Sequence, residues 1–132
     1  MRYLSVVIPA YNEAERIGPT LERVFAYLAE QSFSSEVVVV DDGSRDATVR
    51  LVRSLRASHP SLRVIANAEN KGKGGVVRQG MLEAAGEWRL FMDADGSTPI
   101  GELGKLLDAS AEHDIVIGSR RLDRSLVLVR QP

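Results

Sequence analysis

The chain has 132 residues, 44% of them hydrophobic and 27% charged, which fits one globular domain rather than a disordered or membrane-embedded protein. Its formal net charge of -1 lacks the basic excess that nucleic-acid-binding proteins normally carry, so we expect no nucleic-acid partner. The sequence contains no cysteine, which excludes disulfides and thiolate metal sites.

Five short apolar runs predict β-strands, at residues 4–8, 36–40, 62–66, 88–92 and 114–117. Their valine and isoleucine content suits strands that are buried on both faces. Segments of helical period alternate with them, which is the pattern of βα units that build a mainly parallel sheet. A further apolar run at residues 126–129 indicates the start of another element. We therefore expect residues 1–132 to form a single α/β domain with three layers, αβα.

Four helices are predicted between these strands. The first covers residues 14–30, because apolar residues recur there at steps of three and four. The second begins near Asp46, a plausible N-cap, and the third begins around Gly74. The fourth has Thr98 as its cap and Pro99 at its first helical position. The residues that the third helix is expected to bury are Val77, Met81, Ala84 and Ala85.

Acidic residues follow two of the predicted strands, Asp41 and Asp42 after one and Asp93 and Asp95 after the other. In an open parallel sheet the carboxyl ends of the strands share the edge where ligands bind. Carboxylates gathered there can hold a divalent cation, and the cation can hold a phosphorylated substrate. An isolated acidic pair in a βα turn is also common as a helix cap. Further polar groups favour a site, because the first strand ends in Pro9, Ala10, Tyr11, Asn12 and Glu13.

A glycine-rich segment at residues 70–75 comes directly before the third predicted helix. The free N–H groups and positive dipole end of that helix favour an anion, and Lys71 and Lys73 add charge. The segment is not a Walker A loop, because no serine or threonine follows its glycine and lysine, and it does not follow the first strand as a dinucleotide fingerprint would. The alternative is a flexible turn that starts a helix.

The last part of the chain, residues 118–132, is rich in arginine. It contains Arg120, Arg121, Arg124 and Arg130 against the single acid Asp123. The segment is a candidate for binding anions, and the alternative is a solvated basic tail.

Taken in order, these segments resemble family 2 glycosyltransferases of the GT-A fold, a Rossmann-like fold, especially members that transfer a sugar to a polyprenyl phosphate. The resemblance rests on residues 6–13, 40–46, 70–74, 93–95 and 117–120 and so covers nearly the whole chain. The continuation through residues 96–99 is more similar to the dolichyl-phosphate glucosyltransferase branch than to the mannosyltransferase branch. The mannosyltransferase branch usually has a glutamine where Ser97 stands.

The resemblance implies roles for individual residues. Asp41 would contact the nucleotide base, with Asp42 nearby, and Gly72 and Lys73 would lie close to the nucleotide and its phosphates. The other residues lining the nucleotide site would be Pro9, Ala10, Tyr11, Asn12, Glu13 and Ala94.

The resemblance also implies how the metal and the phosphates are held. Asp93 would face the ribose and the metal, and Asp95 would be the principal ligand of a Mg²⁺ or Mn²⁺ ion. Arg120 matches an arginine that meets phosphate in these enzymes, and Arg130 is a further candidate for that role. These three residues, Asp93, Asp95 and Arg120, are the predicted catalytic set.

The reaction implied by the resemblance is transfer of a sugar from a nucleotide-sugar donor, with UDP-glucose favoured, to a polyprenyl-phosphate acceptor. Because members of the family are generally longer, we expect this chain to hold the donor half and an incomplete acceptor half. We therefore expect it to bind nucleotide but to transfer sugar poorly. The first residues carry no secretory signal, and no run approaches the roughly 20 apolar residues that cross a bilayer. The expected location is cytoplasmic, with peripheral contact at the cytoplasmic face of a membrane.

Two other functions compete with this interpretation. Residues 90–98 also resemble the nucleophile loop of haloacid-dehalogenase phosphohydrolases, in which Asp93 would attack phosphorus and Asp95 would be the acid and base. Position argues against this function, because that loop normally lies near the start of its domain, with a lysine and further acidic residues after it. Here the loop lies late in the chain, and Lys105 is the sole lysine that follows Asp95. The second alternative, suggested by Asp41 and Asp42, is a nucleotide-binding module without catalysis.

Overall fold

A computed structural model describes residues 3–96, 100–109, 115–119 and 125–130. The strands are β1 (Tyr3–Ala10), β2 (Ser34–Asp41), β3 (Leu62–Ala66), β4 (Trp88–Phe91), β5 (Ile115–Ser119) and β6 (Ser125–Arg130). The helices are α1 (Ile17–Ala29), α2 (Thr48–Leu55), α3 (Lys73–Glu83) and α4 (Leu103–Ala109), and a short 3₁₀ turn at Ile100–Glu102 leads into α4.

The described strands form one sheet in the order β3-β2-β1-β4-β6-β5. Strands β1 to β4 are parallel to one another, whereas β6 runs antiparallel to both β4 and β5. The chain moves outward from β1 to β3 and then returns across the sheet to place β4 on the other side of β1. The strand order therefore reverses between β1 and β4, which is the point where open α/β sheets bind their ligands.

The core lies on both faces of the sheet because neighbouring strand residues point to opposite sides. On one face Val6 and Ile8 of β1 belong to the cluster that includes side chains of α1, α2 and α4. On the other face Val7 of β1 packs with Val38, Val40 and residues of α3. This arrangement confirms the predicted three-layer αβα architecture with a mostly parallel sheet.

Two helices begin later than the sequence predicts. α1 begins at Ile17 instead of residue 14, because Arg16 and Ile17 donate backbone hydrogen bonds to the Glu13 carbonyl and form a turn there. α2 begins at Thr48 after Ala47, so Asp46 is not its N-cap. Asp46 instead accepts a hydrogen bond of 3.0 Å from the Thr48 N–H two residues on, the local pattern of an aspartate in a turn.

The face that α3 buries differs in part from the predicted one. Ala84 is buried as predicted, but Val77 and Met81 are only half-buried and Ala85 is exposed, while Val76 and Gly80 are buried instead. The helix begins at Lys73, and Gly80 faces the sheet so closely that a Cβ atom there would clash with Val7. The prediction counted apolar side chains and so missed a glycine at the contact, where its lack of a side chain lets the backbone approach the strands.

The end of the sheet partly follows the prediction. The apolar run at residues 126–129 lies in β6, and β5 extends to Ser119 instead of ending at residue 117. In α4, Leu103 and Leu106 are buried, and Leu107 packs against the same cluster. The predicted cap Thr98 and first-turn Pro99 lie outside the described residues.

Candidate functional site

A cavity of about 600 Å³ opens at the carboxyl edge of the sheet, at the reversal point between β1 and β4. Its wall combines the ends of β1, β2 and β4 with the start of α3. The lining residues are Pro9, Ala10, Tyr11, Glu13, Asp42, Asn70, Gly72, Lys73, Val76, Asp93, Ala94 and Asp95. The structure thus brings together most of the residues that the sequence singled out, although they come from four separate segments.

Among the residues that the structure describes, two predicted site residues are not in this lining. These two, Asn12 and Asp41, hold the loops of the cavity through hydrogen bonds with Ser44 and Arg45, whereas Arg120 lies outside the described residues. Conversely, Val76 lines the cavity but was not predicted to do so. A signal for it exists in the sequence, since Val76 is one helical turn after Gly72 and so shares the face of α3 that begins at the glycine loop.

The loop after β1 is tied to the loop after β2 by hydrogen bonds. The Asn12 N–H donates to Ser44 Oγ at 2.8 Å, and Asn12 Oδ1 accepts from the Arg45 N–H at 2.9 Å. Asn12 has a positive φ of 51°, a conformation that asparagine tolerates better than most residues. The Glu13 N–H donates to Thr48 Oγ1 at 2.9 Å. These bonds fix the β1 loop, which carries Tyr11 and Glu13 into the cavity.

Asp46 supports the same junction. Its carboxylate accepts hydrogen bonds from the Thr48 hydroxyl and from the backbone N–H groups of Thr48 and Ala14. These bonds, the one from the Thr48 hydroxyl foremost, lower the pKa of Asp46 below its ordinary value. The lower pKa keeps this carboxylate ionised in more acidic solution than an ordinary aspartate, so that it continues to accept bonds from both loops.

Asp41 and Asp42 point to different partners although they are adjacent. Asp41 is 1% exposed, and its two carboxylate oxygens accept hydrogen bonds from the N–H and the hydroxyl of Ser44 at 2.8 and 2.5 Å. The Asp42 carboxylate accepts hydrogen bonds from the N–H groups of Lys71 and Gly72 at 2.5 and 3.1 Å. Asp42 therefore fixes the glycine-rich loop that Gly72, with its φ of 80°, turns into α3.

Lys73 and Asp93 form an ion pair inside the cavity wall, with 2.8 Å between Lys73 Nζ and Asp93 Oδ1. Lys73 Nζ also lies 5.5 Å from the ring centroid of Phe91, the last residue of β4. The two residues come from α3 and from the segment after β4, so the pair connects the glycine-rich loop to the turn at residues 93–95, the acidic turn.

The acidic turn is held against α1. The Thr20 hydroxyl donates a hydrogen bond of 2.7 Å to the buried carbonyl oxygen of Ala94. Gly96 follows with a φ of 69°, and a Cβ atom there would clash with the Arg23 side chain. This packing directs Ala94 inward and leaves Asp95 exposed at the cavity.

Asp93 and Asp95 both line the cavity, and carboxylate oxygens are a ligand type that hard divalent cations accept. Mg²⁺ in phosphate-binding sites is commonly held by one or two carboxylates, with the remaining ligands supplied by phosphate oxygens and water. The described residues contain no group of three or more His, Asp or Glu side chains placed to hold a metal by themselves.

Arg130, the last residue of β6, lies beside the end of β4 that is remote from this cavity. It pairs with Trp88 at the first residue of β4, and its guanidinium lies 6.0 Å from the Trp88 ring centroid and 3.8 Å from the Glu87 carboxylate. The cavity is at the other end of the strand, after Phe91. The structure thus gives no support to the expected contact between Arg130 and a phosphate.

A family model described as "Glycosyl transferase family 2" matches residues 5–128 of the chain. Curated relatives include a dolichyl-phosphate beta-glucosyltransferase of Trichomonas vaginalis, 40% identical over 89% of this chain and 38% of the relative. The enzyme of the same name from Drosophila melanogaster is 46% identical over 78% of this chain and 34% of the relative. The chain thus spans well under half the length of the curated relatives that it matches.

Solved structures with the same fold include a mannosyltransferase of Pyrobaculum calidifontis in complex with GDP-Man and Mn²⁺. It is 25% identical, with a TM-score of 0.78 over 96% of this chain and 44% of that one. The S. aureus TarS structure in complex with UDP-GlcNAc is 30% identical, with a TM-score of 0.66 over 87% of this chain and 33% of that one.

Among the described residues, no helix combines the length and the apolar character needed to span a membrane.

Proposed function

The chain belongs to glycosyl transferase family 2, and we propose that it supplies the donor-binding part of an enzyme that transfers glucose from UDP-glucose to dolichyl or another polyprenyl phosphate. The observation that carries the proposal is the cavity between β1 and β4, where Asp93, Asp95 and Lys73 converge. Carboxylates that suit a divalent cation and an amine that suits phosphate stand side by side there, and a nucleoside diphosphate sugar with its metal ion needs both kinds of group.

In this proposal Asp95 and Asp93 hold a Mg²⁺ or Mn²⁺ ion. When bound, such an ion stabilises the negative charge that develops on a departing diphosphate, a contribution of several kcal/mol. Gly72 and Lys73, where α3 begins, line the same cavity, and the N–H groups of helix N-termini favour phosphate. The Asp42 carboxylate fixes the loop that precedes these groups, so they are positioned before the donor arrives.

The nucleoside is held by the loops after β1 and β2. Tyr11 and Glu13 line the cavity directly, whereas Asn12 and Asp41 keep the two loops in place through Ser44. Contact between Asp41 and the base would require the Ser44 bonds to Asp41 to be exchanged for bonds to the base. We therefore assign Asp41 the role of a support in the nucleotide-free protein.

A phosphate acceptor simplifies the chemistry. An acceptor phosphate is already anionic, so it attacks the anomeric carbon without a general base and needs only cationic groups to position it. Arg120 is our candidate for that positioning, since it directly follows β5 in the sequence. Direct attack on the α-linked sugar of the donor inverts the anomeric centre. The names of the relatives, dolichyl-phosphate beta-glucosyltransferases, support this outcome.

The proposal places the protein at the cytoplasmic face of a membrane, in peripheral contact with the lipid that carries the acceptor. The donor is soluble in water, whereas the acceptor is a lipid. An enzyme that transfers a sugar between them must therefore hold the donor next to the lipid headgroups. Resistance of the bound protein to high salt, together with its release by detergent, would reveal contact with the lipid itself.

The test is calorimetric titration of UDP, UDP-glucose and GDP-mannose into the protein, with and without Mn²⁺. We expect UDP and UDP-glucose to bind more tightly than GDP-mannose, and Mn²⁺ to increase their affinity. Asp95→Ala should abolish most of the effect of Mn²⁺. Asp108→Ala is the matched control, because Asp108 is an exposed aspartate of α4 outside the described cavity lining.

Two results would contradict the proposal. If the parent protein and Asp95→Ala bound nucleotide with equal affinity and without dependence on Mn²⁺, nucleotide binding would not involve the acidic turn. Release of phosphate from a generic aryl phosphate, lost in Asp93→Asn, would instead indicate phosphohydrolase chemistry.

A further inference from the structure

Lys73 occupies a position that is electrostatically unfavourable for a lysine. It is the first residue of α3, and the first turn of that helix reads Lys, Gly, Gly, Val. Its ammonium group therefore adds positive charge to the helix end that is already positive. A nearby anion offsets this charge, and in the structure that anion is the Asp93 carboxylate, 2.8 Å away.

A second contact keeps the ammonium group on that side of the cavity. Lys73 Nζ lies over the Phe91 ring, and the attraction of a cation to an aromatic face adds to the ion pair. Phe91 ends β4 and Asp93 follows it by two residues, so both partners of the lysine belong to the acidic segment. The lysine is thus directed toward the carboxylate that the proposed function assigns to the metal.

This ion pair contributes little to folding, because the Lys73 side chain is 62% exposed and the Asp93 side chain 21% exposed. Ion pairs with one strongly exposed partner are weakened by water and by salt. The pair can therefore be broken at small cost when stronger partners for either group arrive. A divalent cation is such a partner for Asp93, and a diphosphate is such a partner for Lys73.

We propose that Lys73 is the internal counter-ion of Asp93 in the nucleotide-free protein, and that it passes to the donor diphosphate when metal and nucleotide bind together. The inference rests on the proposed function of the same cavity. Because an ammonium group and a divalent cation compete for one carboxylate, the metal alone binds weakly. The diphosphate removes the competition by taking Lys73, so nucleotide and metal each increase the affinity of the other.

The test measures binding, not turnover. Mn²⁺ is titrated into the nucleotide-free protein and followed by the electron paramagnetic resonance signal of free Mn²⁺, and UDP is titrated calorimetrically at saturating Mn²⁺. For Lys73→Met we expect Mn²⁺ alone to bind about tenfold more tightly. We expect UDP at saturating Mn²⁺ to bind more weakly, because its phosphates lose a cationic partner. A purely structural defect would weaken both.

Three further variants make the comparison specific. Lys73→Gln is a second neutral variant and should behave like Lys73→Met. Lys73→Arg keeps the counter-charge and should leave Mn²⁺ binding weak. Lys71→Met removes the same charge from an exposed residue on the same loop, outside the described cavity lining, and should leave Mn²⁺ binding unchanged.

This inference alone would be overturned if Mn²⁺ bound both neutral variants no more tightly than the parent protein, while UDP binding to the parent protein still depended on Mn²⁺. An equal gain in Lys71→Met would also overturn it, by showing a general effect of charge. A parent protein that binds neither UDP nor Mn²⁺ would overturn the proposed function and this inference together.

Discussion

The hydroxyl of Thr20 donates a hydrogen bond of 2.7 Å to the carbonyl oxygen of Ala94. Thr20 lies on the buried face of α1 and is 1% exposed, while Ala94 is the central residue of the acidic turn and is 4% exposed. A single buried bond thus connects the first helix of the chain to a turn 74 residues away. The orientation of Asp93 and Asp95 depends on this distant helix.

Thr20→Val should destabilise the protein and disturb the acidic turn. Valine keeps the shape of threonine but leaves the buried Ala94 carbonyl without its donor, which costs about 1–3 kcal/mol in free energy of unfolding. We also expect the affinity for UDP in the presence of Mn²⁺ to fall. Urea denaturation and calorimetry measure the two effects, and Thr20→Ser, which keeps a hydroxyl, should recover most of both. Full stability in Thr20→Val would contradict the role given to this bond.

Asp42→Ala should loosen the glycine-rich loop. The variant removes the acceptor for the N–H groups of Lys71 and Gly72, and we expect the free energy of unfolding to decrease by about 1–2 kcal/mol. Amide hydrogen exchange of the loop should accelerate, and UDP affinity should fall. Glu69→Ala removes the same charge from an exposed position on this segment and should change none of the three. Unaltered exchange in Asp42→Ala would refute the prediction.

Glu36, near the amino end of β2 and so away from the cavity, makes the stability of the protein depend on pH. Burial alone would raise the pKa of Glu36, but hydrogen bonds from Ser5, Ala85 and Arg63 together lower it below the ordinary value of 4.5. A carboxyl whose pKa is lowered on folding stabilises the protein fully above its unfolded pKa. That stabilisation is lost as the pH falls through the lower folded pKa.

Glu36→Gln should therefore cost about 1–3 kcal/mol at pH 7 and progressively less as the pH falls below 4.5. Denaturation of both proteins across this range gives the difference. Glu83→Gln is the control, because the Glu83 side chain is 58% exposed and lies 3.8 Å from Arg63, so its removal should matter little. If the stability difference between Glu36→Gln and the parent protein did not change with pH, the ionisation of Glu36 would not contribute to stability as predicted.

Gly80→Ala should destabilise the contact between α3 and the sheet. A Cβ atom at this position would clash with Val7 and lie 2.9 Å from Val40 Cγ2, and both valines are buried. Overpacking of this kind costs about 1–3 kcal/mol. Gly74→Ala in the same helix has open space around it and should stabilise by up to about 1 kcal/mol. Thermal denaturation compares the two, and equal stability of both variants would show that α3 shifts to make room.

The sequence by itself determined the strands, the order of the elements and most of the cavity lining. Short apolar runs rich in β-branched residues and bounded by turn residues favour buried strands, and polar groups directly after such strands emerge at the strand ends. Parallel pairing then brings Asp42, Asp93 and the β1 loop to one edge. These conclusions depend on local pattern and chain direction, and both can be read from the residues in order.

The tertiary structure alone decided which side chains meet. Asp41 and Asp42 are equivalent in the sequence, yet one is bound by Ser44 and the other by the loop at residues 71–72. The Lys73–Asp93 pair, the Thr20–Ala94 bond and the place of Arg130 at the far end of β4 likewise depend on strand register and helix packing. Except for the Asp41–Ser44 bonds, these contacts join residues far apart in the chain, and no local pattern encodes the distance between them.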